Sequence, residues 1–510
     1  MLRGILTVGG WTMASRLLGF VRDVLTAHLL GAGPVADAFV VANKLPNLFR
    51  RLFGEGAFNA AFVPSFSALL HKEGRAAAQR FAEQALAVLG FWLLGLTLLA
   101  EIFMPWLMAA VAPGYTGRPE TASLVVELGR ITFPYMPLIC LAALISGVLN
   151  SLDRFAAAAA APVLYNLTAI GFMLGLAGYV PTAGHALAWG VSVSGVFQLG
   201  LLLSDLRRAG ISLHIPRPRL TPPMRTLLAR MGPGLIGAGV TQLNSLVDTV
   251  IASLLPDGVQ SIIYFADRLD QLPLGTIGVA VGTAMLPALS RSVAAGDKAG
   301  ALAMQNRAIE YALTLTLPAA LALIVIPGPI VGVLFGHGAF SPASVALCAQ
   351  ALAAYAVGLP AFVLVKVLVP AFFARGDTAT PVKLGMAAVA LNVVLNISFM
   401  TPLQHMGPPL ASSVAAWFNV GSLLFVLMRR GEMAPDAQLR RTVPRMAVAC
   451  LAMVAALLLL ARAVPVSMTQ YSFAGAVALG GLVLAGMLVY AAAGQVSGAF
   501  DLKALARRRP

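Results

Sequence analysis

The sequence predicts an all-α integral membrane protein. About fourteen transmembrane helices form two six-helix lobes related by a repeat, with two extra helices at the C-terminus. Three observations carry this reading: composition, the spacing of apolar windows and the charge of the loops. Of 510 residues, 59% are hydrophobic and only 11% charged, whereas a soluble domain carries about 25% charged residues. Mean hydropathy is +0.85.

Crossing the hydrocarbon takes about 20 apolar residues. Such windows recur at 5–30, 35–68, 82–112, 121–149, 157–179, 184–206 and 226–255, and then at 260–290, 306–335, 343–373, 382–401, 406–428, 443–463 and 472–495. The second and eighth are the least apolar and are assigned from context. The N-terminus, MLRGILTVGGWTMASRLLGF, lacks a clear cleavage site and runs into an Arg-bearing helix, so it reads as a retained first span, not a signal peptide.

The loops test the count. Those after odd-numbered spans, such as GAGPV (31–35), PDGV (256–259) and GHGAFSPAS (336–344), are almost free of Lys and Arg. Those on the other side are all basic, from HKEGRAAAQR (71–80) through RRAGISLHIPRPRLTPPMR (207–225) to LKALARRRP (502–510). By the positive-inside rule both termini are cytoplasmic. The net charge of +15 is then a topology signal and calls for no nucleic-acid partner. Cys140, Cys348 and Cys450 lie in apolar runs without metal-ligand spacing, and the six histidines are scattered.

Two halves repeat. Pro46 of NKLP and Pro273 of DQLP stand 227 residues apart, whereas Pro134 and Pro360, like Asn166 and Asn392, stand 226 apart. The expected organisation is an N-lobe at 1–206, a cytoplasmic linker at 207–225, a C-lobe at 226–428 and the extra pair with a basic tail at 429–510. Each half has an even number of spans, so the repeat is parallel. This architecture marks secondary transporters, whose site lies between halves near the midplane.

Charges inside spans are the functional signal. The first half holds Arg16, Arg22 and Asp23, then Asp37, Lys44, Arg50, Arg51 and Glu55; the second holds Asp248, then Asp267, Arg268 and Asp270, and Lys366. Each Arg or Lys at a bilayer centre costs roughly 2.5–3.5 kcal/mol, so these groups must line water or pair. Lys44, Arg51 and Glu55 follow one helical stripe. The acids serve in part to neutralise neighbouring cations, but cations stay in excess. A cavity with surplus guanidinium groups suits a phosphorylated or carboxylated anion, because the planar fork grips oxygens in pairs. Pro46, Gly54, Gly56 and Pro64 punctuate the second span, and Pro273, Gly275 and Gly278 the eighth, as in broken, moving helices.

No GxxxxGK[ST], GxSxG or HExxH occurs, so the chain reads as a transporter without cofactor, not an enzyme. Its energy comes from a gradient, the membrane potential or downstream consumption. Asp248 and Asp377 are candidates to hold a coupling cation such as Na⁺, although a full oxygen ligand set cannot be named.

SRLLGFVRD, ADAFVVANKLPNLFRRLFGEGAFNAAFVP and YFADRLDQLPLGTIGVAVGTAMLPALS resemble the MurJ (MviN) family of bacterial lipid II flippases, of the MOP exporter superfamily, over nearly the whole chain. The resemblance implies the substrate, an undecaprenyl-diphosphate-linked peptidoglycan precursor, moved from inner to outer leaflet of the cytoplasmic membrane by alternating access. It places substrate-binding roles on Arg16, Arg22, Arg50 and Arg268 and functional roles on Asp37, Lys44 and Glu55, with Asn47 grouped among the substrate-binding candidates. It also implies a groove for the polyprenyl tail along the last two helices, contact with membrane lipid, and a setting among other cell wall synthesis proteins. The family's sodium site is only partly matched: Asp248 and Asp377 are the matching positions, but the apolar residues around 389–393 lack a Thr ligand. The alternatives are another MOP-type transporter, an O-antigen flippase or a multidrug exporter. Surplus arginines count against a cation-drug exporter, and the motif at 36–64 favours lipid II over an O-antigen lipid, which charge alone does not exclude.

Overall fold

The computed structural model describes residues 2–52, 57–463 and 471–500. Glu55 lies outside them. Among the described residues every regular element is helical. The first half contains α1 (Leu2–Leu30), α2 (Pro34–Ala42), α3 (Lys44–Phe49), α4 (Ala57–Lys72), α5 (Arg75–Ile102), α6 (Met104–Val111), α7 (Pro119–Thr132), α8 (Tyr135–Ser151), α9 (Ala156–Leu176) and α10 (Ala183–Arg208). It is followed by α11 (Pro222–Ser253), α12 (Val259–Ala294), α13 (Lys298–Val325), α14 (Pro327–Phe335), α15 (Pro342–Ala356), α16 (Leu359–Phe373), α17 (Ala379–Leu403), α18 (Gly407–Arg429), α19 (Ala437–Ala463) and α20 (Phe473–Ser497). The chain forms two compact units, residues 1–261 and 262–510.

The repeat is visible in the helices themselves. Arg75 and Lys298, Met104 and Pro327, Pro119 and Pro342, and Ala156 and Ala379 open corresponding helices, each pair 223 positions apart. Proline sets several of these starts. Pro105, Pro327 and Pro342 occupy first-turn positions, where a missing amide costs nothing.

Nine stretches among the described residues are long and apolar enough to cross a membrane. They contain α5, α7–α8, α9, α10, α13, α15–α16, α17–α18, α19 and α20. The segments holding most of the interior charges, α1, α2–α4, α11 and α12, are not among them. The second span is broken near Pro46, whereas α4 runs through Pro64, and Gly54 and Gly56 lie outside the described residues. α2 gives way at Asn43 to α3, whose end widens into a π-type turn at Arg50–Leu52 before α4. The eighth differs from the expectation of a broken helix: α12 runs through Pro273 and Pro287 as one helix. A proline removes one ladder bond and bends a helix without having to end it.

In the first unit α9 packs along α1 and α10, while α8 packs against α4, α5 and α10. Small residues allow the closest approach: a Cβ added at Gly190 of α10 would lie 3.0 Å from the Ala169 Cα of α9. α11 packs on α4 and α5 through Met224, Leu227 and Met231, which join the core around Phe62, Phe66 and Leu144. In the second unit α13 packs on α16 and α19, α17 on α18, and α20 on α19. The Tyr490 hydroxyl of α20 donates to the Thr314 carbonyl of α13 at 2.9 Å. Cys140, Cys348 and Cys450 are all buried free thiols.

Candidate functional site

α1 presents Arg22 toward α9. Its Nη2 lies 2.7 Å from Asp23 Oδ1, and its Nη1 donates to Asn166 Oδ1 at 3.0 Å. The guanidinium lies 5.2 Å from the Tyr165 ring centroid. The Asn166 amide also donates to the Ser15 carbonyl, at 2.9 Å, so one side chain ties α9 to α1 and orients the arginine. Arg22 is 14% exposed and Asp23 8%. The charge is thus held by a carboxylate, an amide and an aromatic face, the partners a half-buried guanidinium needs.

A second arginine, Arg50, lies within electrostatic reach of the neighbouring tyrosine pair. Tyr165 packs against Tyr135 of α8 with ring centroids 5.7 Å apart. Tyr135 is buried within electrostatic reach of Arg50. Arg50 Nε donates to Asn47 Oδ1 at 3.3 Å, and Asn47 Nδ2 donates to the Asn43 carbonyl at 2.9 Å. Arg50 is the first residue of the π-type turn. From the sequence Asn166 is only a repeat landmark, and Tyr135 and Tyr165 are not site candidates. The run YNLT (165–168), a polar pair in an apolar span, was the available signal.

The remaining candidates are placed as follows. Arg16 is exposed one and a half turns before Arg22, and Lys44 opens α3 half-buried. Asp37 is fully buried. Its carboxylate accepts from the Gly258 amide at 2.6 Å and the Ser261 amide at 2.7 Å, so it caps the start of α12. Gly258 there has φ +90°, a conformation that suits glycine. The charge favours the site, since a helix N-terminus offers unpaired amides and positive potential. In the second unit the Arg268 guanidinium lies 4.7 Å from the Tyr264 ring centroid, Gln271 Nε2 donates to Asp267, and Asp270 is buried. Asp248 is half-buried in α11.

Asp377 stands at the start of α17, where it accepts from the Thr380 amide at 2.9 Å and Arg430 Nη1 at 2.7 Å. Hydrogen bonds from Thr380 and then Arg430 hold its carboxyl well below the ordinary carboxylate range. Among the described residues no group of three His, Cys, Asp or Glu is arranged to hold a metal.

The profile of the lipid II flippase MurJ family matches residues 26–478. The chain belongs to the lipid II flippase MurJ family. A probable lipid II flippase MurJ of Rhizobium meliloti is 44% identical over 491 residues, covering 95% of this chain and 91% of the relative. The family's lipid II flippase MurJ of Burkholderia cenocepacia is 36% identical, covering 86% and 85%. A solved MurJ in the inward closed conformation shares the fold, with a TM-score of 0.80, 24% identity and coverage of 98% and 99%. An inward-facing multidrug MATE transporter of the MOP superfamily matches with a TM-score of 0.67, 15% identity and coverage of 84% and 98%. The two C-terminal helices α19 and α20 are present here as the sequence predicts. The family is one of transporters, and the chain carries its all-helical, multi-pass architecture.

Proposed function

We propose that this chain moves lipid II from the inner to the outer leaflet of the cytoplasmic membrane by alternating access, with both termini cytoplasmic. Family membership supports the substrate. The observation that carries the chemistry is the orientation of Arg22 by Asn166 and the Tyr165 ring, with Arg50, held by Asn47, within electrostatic reach of the adjoining Tyr135. Two oriented guanidinium groups suit a diphosphate, which offers several oxygens in pairs. Arg16 and Arg268 are the further anion ligands that the family resemblance implies, and Lys44, Asn47 and Glu55 are assigned to the polar headgroup. Asp37 acts through the α12 terminus. The lipid tail follows the apolar groove beside α20, lined by Val333, Leu334, Leu479 and Val483. The reaction class before this chain assembles the headgroup on its lipid carrier, and the class after it polymerises the glycan outside.

The test is complementation. The host's own flippase is depleted, this chain is supplied, and lipid II becoming accessible to an external headgroup-cleaving toxin is measured. Wild type restores accessibility, and Arg268→Ala at matched membrane abundance lowers it at least tenfold. Restoration by both removes Arg268 from the site. Restoration by neither, with folded protein in the membrane, favours a polysaccharide lipid as substrate.

A further inference from the structure

A cavity of about 740 Å³ opens between α6, the turn at Pro113–Tyr115 and α7 of the first unit. It belongs to none of the elements that hold Arg22 and Arg50. Its walls are mainly apolar, built by Met108, Ala112, Tyr115 and Val126. Two charged groups also line it, Glu127 and Arg130, three residues apart on one face of α7. Both are exposed, so they stand at its mouth. Glu127 Oε1 lies 3.1 Å from His185 Nε2, and Thr182 Oγ1 lies 2.8 Å from the other ring nitrogen. His185 is buried beneath Glu127, whose side chain is 58% exposed. Arg130 has Glu101 of α5 within electrostatic reach but no hydrogen bond among the described residues.

We infer that this cavity binds a phospholipid whose headgroup carries a phosphate and a primary ammonium, as phosphatidylethanolamine does. Arg130 takes the phosphate, Glu127 takes the ammonium, and an acyl chain enters the apolar space. The mouth is zwitterionic in the same sense as that headgroup. An anionic headgroup would meet Glu127 without a cation of its own. A quaternary ammonium would approach Glu127 without a proton to donate. Phe103 and Trp106, 49% and 67% exposed on the same corner, are the aromatic side chains that settle at a membrane interface. Binding does not rest on the proposed transport; only the leaflet does, the outer one, through the proposed orientation.

The experiment uses the full chain, stripped of lipid in detergent and titrated in native mass spectrometry. The probes are phosphatidylethanolamine, phosphatidylcholine and phosphatidylglycerol of identical acyl chains. Phosphatidylethanolamine is expected to bind about tenfold tighter than the others, the worth of one charge-assisted hydrogen bond. Glu127→Gln should erase that preference, and Arg130→Gln should weaken all three about tenfold. Ala122→Trp, which projects a bulky ring from the cavity wall into the acyl-chain space, should remove the tight adduct while leaving both charges in place. Equal binding of the three lipids by wild type, or an adduct pattern unchanged by all three substitutions, overturns the proposal.

Discussion

Arg22 shows why a guanidinium, and not simply a positive charge, stands in α1. It donates to Asp23 and Asn166 in different directions and lies against a tyrosine ring at the same time. An ammonium is a compact point charge and cannot satisfy both partners while covering a ring. Arg22→Lys, made at matched expression, should therefore lower lipid II accessibility to the external toxin about tenfold or more, although the charge is kept. Activity equal to wild type would mean that charge alone is used. The sequence indicates an arginine that has to be paired or wet, because an unpaired one would cost several kcal/mol in hydrocarbon. It does not indicate Asn166, which comes from 144 positions away.

At the scale of elements, the start of α12 depends on a side chain of α2. Two buried amides at Gly258 and Ser261 have Asp37 as acceptor. Removing a cap costs about 0.5–2 kcal/mol, and leaving buried amides unpaired adds to this. Asp37→Ala should lower the thermal unfolding midpoint in detergent by several degrees, with Asp37→Asn, which keeps one acceptor oxygen, in between. An unchanged midpoint in both would show that water satisfies these amides. From the sequence Asp37 is one more acid in a cationic segment and is grouped with the headgroup ligands. Its partner amides lie 221 and 224 positions away, and backbone donors leave no trace in residue type. The break between α2 and α3 was legible, since Pro46 in the first turn of α3 announces it. The continuity of α12 was not, because proline bends or ends a helix according to its neighbours.

At the scale of the whole molecule, the proposed orientation has a direct readout. Thr116 lies in a loop poor in Lys and Arg, and Ser212 in a basic one, and both are exposed. Cys140, Cys348 and Cys450 are buried, so the native background should be low. In intact cells a membrane-impermeant maleimide should label Thr116→Cys and spare Ser212→Cys until the membrane is opened. The reverse pattern would invert the topology and place the phosphatidylethanolamine site in the inner leaflet. By itself the sequence determined the membrane class, the helical architecture, the repeat and the set of costly interior charges. These depend on transfer cost and periodicity, which are summed along the chain and need no knowledge of neighbours. Only the tertiary structure decided which charges are oriented and which are capped: Arg22 by Asn166, Asp37 by the α12 amides, Asp377 by Arg430. Hydrogen bonds act over about 3 Å, and only folding brings residues so far apart in the chain within that distance.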